Sequence, residues 1–213
     1  MKKVIVLALL LVGIQANAQF IGGAGYIYSS EKTTEKSNGN SEAIPFHGFF
    51  VGGSYNIQLG KGFGFAPGLY ISYLLHNENT DDGGRTLGYT LDGNKRQFSL
   101  NLPLKITYTL DFGNDKGLVA YAGPIFQMGI TNTTSINGSV SILGFSRSFS
   151  GTVDNFAEGL MNRFNIFLGG GVGVMLGDLI FHIGYDHSLL DVDRADNSIT
   201  SRGQLKVGLG IDF

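Results

Sequence analysis

The chain has 213 residues with no Cys and no Trp, and its 15 Lys and Arg stand against 17 Asp and Glu for a formal net charge of -2. One domain fits that length. Charge this sparse and balanced leaves no basic stripe to neutralise a run of phosphates, which excludes nucleic acid as a partner, and the lack of Cys excludes both a disulfide framework and a lipid-anchored lipoprotein.

Met1-Lys2-Lys3 leads into an apolar run from Val4 to Val12 and then Ala16-Asn17-Ala18. This is the three-part layout of a secretory signal peptide, so residues 1–18 are expected to be removed and residues 19–213 to form the mature domain. Beyond Ala18 no window holds the roughly 18 consecutive apolar residues that a membrane helix needs.

The mature part reads as a series of strands. Weak period-two patterns cover 20–29, 45–58 and 63–76. Segment 97–110 is clearer: Phe98, Leu100, Leu102, Leu104, Ile106, Tyr108 and Leu110 alternate with Gln97, Ser99, Asn101, Pro103, Lys105, Thr107 and Thr109. Such alternation gives a strand one apolar and one polar face. Segment 118–130 is weaker. Segment 162–175 sets Phe164, Ile166, Leu168, Val172 and Val174 against Arg163, Asn165, Gly169, Gly171 and Gly173. A pattern at 179–190 follows, and 204–213 closes the series with Leu205, Val207, Leu209, Ile211 and Phe213 on one face.

The connections alternate in length. Gly60-Lys61-Gly62, the run from Gly113 to Gly117, and Gly177-Asp178 are short and made of turn residues. The links at 30–44, 77–95, 131–161 and 191–201 are long and polar. Eight strands joined in this way predict an all-β fold, an eight-stranded antiparallel up-and-down transmembrane β-barrel with its turns on the periplasmic side and its loops outside. Volume decides which face points out, since a barrel of eight strands just accommodates side chains. Five or more bulky residues from each strand would overfill it, so Leu, Ile, Val and Phe face lipid and the Gly, Ser, Asn and Thr face lines the lumen. Val140, Ile142, Phe145 and Phe149 in the long link at 131–161 predict a hairpin projecting above the membrane in preference to two further spanning strands.

Asn101-Leu102-Pro103-Leu104 leading to Tyr108, the stretch Tyr121-Ala122-Gly123-Pro124, the Ala18-Gln19 boundary and the last strand ending in Phe213 resemble the small outer-membrane β-barrel domain family of Bacteroidetes, an OmpX/OmpA-like and PorT-like group. The resemblance implies that Phe213 and its alternating neighbours form a C-terminal signal read by the barrel-assembly machinery; the peptidoglycan-binding domain that some relatives append is not expected here. It implies no assigned biochemical activity.

Alternation places Lys105, Arg163, His182, Asp186, Lys206 and Asp212 in the lumen. Buried charges persist when paired, and Asp186 and Lys206, at similar heights on neighbouring strands, are expected to meet. His187 and Ser188 are adjacent, so the pleat sends them to opposite faces and defeats a hydrolytic dyad of the lipid A deacylase kind. The carboxylates of Asp191, Asp193 and Asp196 miss the EF-hand template at Ala195, Asp196 and Arg202 and read as solvated loop residues. The glycines from Gly169 to Gly173 lie inside a strand and miss both nucleotide-loop spacings. No catalytic, cofactor or metal site is expected. The function expected is a non-enzymatic surface scaffold in the outer membrane, in contact with outer-membrane lipid and offering its loops to an extracellular ligand. A narrow porin-like or hydrophobic-ligand transport barrel is the alternative, and a lipid A-modifying hydrolase ranks behind both.

Overall fold

The computed structural model describes residues 18–83, 87–142, 145–193 and 197–213. Residues 1–17 of the segment 1–18 that is expected to be a signal peptide, and the positions Arg194, Ala195 and Asp196 of the loop weighed for Ca²⁺, lie outside them. Nine strands follow in chain order: β1 (Ala18–Glu35), β2 (Ser41–Gly60), β3 (Phe63–Gly83), β4 (Leu87–Gly113), β5 (Lys116–Ile142), β6 (Phe145–Asp154), β7 (Phe164–Leu176), β8 (Leu179–Ser188) and β9 (Ser198–Asp212).

Eight of them close a ring. Consecutive strands pair antiparallel from β1 to β5, β5 pairs β7, and β7, β8 and β9 lead back to β1 along Ile21↔Asp212 through Glu35↔Ser198. β6 stands outside the ring and pairs with the distal half of β5, Thr133↔Asp154 to Ile142↔Phe145. The eight-stranded barrel and the projecting hairpin both match expectation.

At one end the turns are tight. Lys61 and Gly62 (φ 55° and 83°) join β2 to β3, and Asn114 and Asp115 (φ 55° and 56°) join β4 to β5. Two central residues with positive φ match the twist of a hairpin, and Gly, Asn and Asp tolerate that region best. The opposite end departs from expectation. Most of the segments 30–44 and 77–95 are not loops but continuations of the strands, with β1 and β2 paired as far as Thr34↔Ser41 and β3 and β4 as far as Gly83↔Gly88. A polar strand keeps its ladder of hydrogen bonds in water as well as a half-apolar one does, so polarity alone does not end a strand.

The apolar faces point outward. Leu102, Val207 and Leu209 are 44%, 48% and 48% exposed, whereas Lys105 and Lys206 line the interior. Aromatic contacts mark both edges of this belt. Phe20 packs on Tyr55 and Phe213, and Phe63 on Tyr108, at the turn end; Phe49 packs on Tyr73, beside Phe98, at the other. From Phe98 to Tyr108, at the rise of a tilted strand, the belt is about 25 Å tall.

Above the belt the polarity inverts. On β4 the outward positions beyond Phe98 are Arg96, Asn94 and Asp92, and on β5 beyond Met128 they are Thr131, Thr133, Ser135 and Asn137. The apolar residues change sides with them: Leu91, Ile136, Val140, Phe145, Phe149 and Val153 share the other face of the sheet formed by β4, β5 and β6. A one-residue irregularity on β5 at Ile130, between the pairs Phe98↔Thr131 and Ser99↔Gly129, lies at the boundary.

Candidate functional site

The interior divides into a sealed half and an open half. The sealed half lies toward the long connections and contains residues that the strict alternation rule had not placed inside. Ile27, Phe46, Phe50 and Leu74 form an apolar cluster from β1, β2 and β3, and Phe167 of β7 is 1% exposed. The lumen is therefore not uniformly polar, as the volume argument had it. Glycines on the adjoining strands β1 and β9 supply the space: a Cβ on Gly25 or Gly208 would come within 2.7 Å of the Phe50 ring.

Polar side chains complete this seal. Asn101 Nδ2 donates to Ser72 Oγ at 2.9 Å and Gln127 Nε2 donates to Asn101 Oδ1 at 2.8 Å, linking β3, β4 and β5. Arg202 of β9, 1% exposed, donates Nε to Glu31 Oε2 of β1 at 3.1 Å, and its Nη2 reaches the same oxygen. Glu31 lies in a segment read from the sequence as a loop, and Arg202 just beyond another, before the strand at 204–213. The signal for them was present, because Arg202, Gln204 and Lys206 continue one alternation and Ile27, Ser29 and Glu31 another. Above them Phe156 is buried against Gly129 on the inner wall, and Asn155 donates to Asn132 Oδ1 and Thr134 Oγ1.

Below the seal a cavity of about 160 Å³ opens toward the tight turns. Its mouth is ringed by Gln19, Gln58, Thr109 and Asp212, and its walls carry Lys105, Tyr121, His182, Asp186 and Lys206. Lys206 Nζ meets Asp186 Oδ2 at 2.6 Å, across the β8–β9 pairing. Asp186 is 2% exposed and lies over Gly169, whose missing side chain leaves room for the carboxylate. Lys105 Nζ stands 4.1 Å above the centre of the Tyr121 ring, and Tyr121 Oη lies 3.4 Å from His182 Nδ1.

Five of the six charged or titratable residues expected in the lumen therefore line this cavity. Arg163 does not. It is exposed just before β7 begins, its guanidinium lies 5.1 Å from the centre of the Phe156 ring, and Nη1 donates to the Ile130 carbonyl at 3.4 Å. The alternation was extended one residue past the strand. Phe213 is at the turn end, where its N–H donates to the Phe20 carbonyl at 2.9 Å. His187 is exposed on the outer surface, while Ser188 is buried and its Oγ accepts from the Arg202 N–H at 2.7 Å. Asp191 Oδ1 accepts from the backbone N–H groups of Asp193 and Thr200, so this loop carboxylate holds its own turn together.

Fold and interior together define a closed up-and-down barrel with an apolar outer belt and a lumen sealed at one end. No protein-family model matches the sequence, and no curated protein matches it. Among solved structures the chain is similar to Ail, the attachment invasion locus protein of Yersinia pestis, at 14% identity over 92% of this chain and 99% of that one, with a TM-score of 0.36. It is similar to Neisserial surface protein A at 15% identity over 92% and 99%, TM-score 0.43, and to the N-terminal β-barrel domain of Pseudomonas aeruginosa OprF at 12% identity over 90% and 99%, TM-score 0.30.

Proposed function

We propose that the protein is an integral outer-membrane β-barrel that acts as a non-enzymatic surface scaffold, with the tight turns in the periplasm and the extended β4–β5–β6 sheet outside the cell. The observation that carries this reading is the reversal of polarity along β4 and β5. An outward face that is apolar for about 25 Å and polar beyond it matches a hydrocarbon slab bounded by water. A soluble barrel would gain nothing from such a belt. A closed ring is also the one β-architecture whose backbone groups are all paired without water.

Scaffold is favoured over transport by the interior. The seal of Phe46, Phe50, Leu74, Asn101, Gln127, Arg202 and Glu31 blocks the long-connection end, and these side chains hold one another through direct contacts. Hydrolysis of lipid A would need a His and a Ser on one face, and His187 and Ser188 stand on opposite faces of the sheet.

Three measurements on the intact protein test the reading. The folded protein is expected to leave membranes only with detergent and to migrate differently in electrophoresis before and after heating. Planar bilayers holding it are expected to show no steady single-channel current. A barrel soluble in buffer would overturn the membrane reading, and a stable open channel would overturn the scaffold in favour of transport.

A further inference from the structure

From the open half of the lumen we infer a binding site for a small organic anion, an aromatic or short aliphatic carboxylate that enters between the tight turns and pairs with Lys105. This goes beyond the scaffold reading and does not depend on what the outer sheet contacts.

The cavity lining holds two Lys and two Asp, yet the charges are not all paired side by side. Asp186 is committed to Lys206 at 2.6 Å. Among the described residues no carboxylate lies within ion-pair distance of Lys105, whose ammonium rests on the Tyr121 ring alone. A lysine held inside a barrel without an anion is costly, and a cation–π contact offsets only part of that cost. The chain thus presents a fixed cation at a reachable position, with its stem packed in the wall.

The surface next to it is apolar and aromatic. Tyr121 touches His182, His182 touches Phe50, and Phe50 touches Tyr70, with ring centroids 6.2, 5.9 and 6.0 Å apart. Four rings thereby line the cavity from the ammonium to the seal. Glycines on β7 and β8 let the Tyr121 ring lie back against the neighbouring wall and leave the centre open: a Cβ on Gly171 or Gly184 would come within 2.6 Å of its hydroxyl. The space has room for on the order of ten to fifteen water-sized groups by the volume one probe sphere needs, which suits one ring or a short chain bearing a carboxylate. Apolar walls with a few convergent polar groups are the usual chemistry of a small-molecule site.

The test uses the full mature chain in nanodiscs of uncharged phospholipid, with 4-fluorobenzoate as the probe read by fluorine NMR. Saturable binding is expected, competed by benzoate and by decanoate but not by neutral benzamide. Lys105→Met is expected to weaken it at least about tenfold, the scale of losing one buried charge partner, and Lys105→Arg to restore it; heat-modifiable mobility shows that both variants are folded. Equal binding to Lys105→Met, or a wild-type signal that rises without saturation as simple partition into lipid does, overturns the site. Should Lys105→Met fail to fold, the wild-type competition decides alone, and benzamide competing as well as benzoate overturns it. Membrane extraction is read separately, so failure of the site and failure of the scaffold reading are distinguishable.

Discussion

Arg202 shows how a single side chain secures the sealed end. Its guanidinium is almost fully enclosed and reaches Glu31 across the seam between the first and last strands. Removing one partner strands the other charge in a dry interior. Arg202→Ala is expected to lower the free energy of unfolding by about 3 to 5 kcal/mol, whereas Glu31→Gln combined with Arg202→Met is expected to recover most of the loss. Urea unfolding in lipid vesicles measures both, and a loss below about 1 kcal/mol for Arg202→Ala would show the pair to be hydrated. Lys105, His182, Asp186, Lys206 and Asp212 could be placed from sequence because period two carries over from their apolar neighbours. Arg202 and Glu31 follow the same parity but stand in polar stretches, where no greasy neighbour marks the face. Phe50 and Phe167 were hidden for the opposite reason: they are bulky residues on the inward face, and the space for Phe50 comes from Gly25 and Gly208 on the adjoining strands, distant in sequence.

At the scale of elements, the belt is a set of outward residues with a definite depth. Leu102 lies midway between the aromatic edges at Phe98 and Tyr108. Leu102→Arg is expected to destabilise the inserted barrel by about 2 to 4 kcal/mol, and Ser135→Arg, outward but above the belt, by close to nothing. Equal effects in a vesicle unfolding titration would put the water boundary elsewhere. The strands at 97–110, 162–175 and 204–213 were legible because one face is apolar throughout. Their extensions were not, since hydrogen bonding between polar residues leaves no hydrophobic period to read. The hairpin of β5 and β6 offers a separate check. β6 contributes nothing to the ring, so replacing residues 134–153 with Asn-Gly is expected to leave heat-modifiable mobility unchanged. Loss of that mobility would mean that the outer sheet supports the barrel beneath it.

For the whole molecule, the two halves of the lumen make the interior a pocket with one entrance. Lys105 stands in the open half and Arg202 in the closed half, so changes at the two positions are expected to be independent in their effects on probe binding. Arg202→Ala should leave 4-fluorobenzoate affinity within about twofold, as fluorine NMR would show, and a large change would mean that the seal and the cavity act as one unit.

The seam between β1 and β9 bears on how such a molecule comes into being. Its partners include Glu31 and Arg202, separated by 171 positions along the chain. Contacts this remote are slow to find, because a long stretch of polypeptide must give up its freedom before they reward it. Until the final segment docks, two raw margins of sheet would face hydrocarbon with their amides unanswered. For the membrane barrel proposed above, insertion is therefore expected to run nearly to completion in one cooperative event, with the docking of β9 deciding whether the strands before it survive in the bilayer.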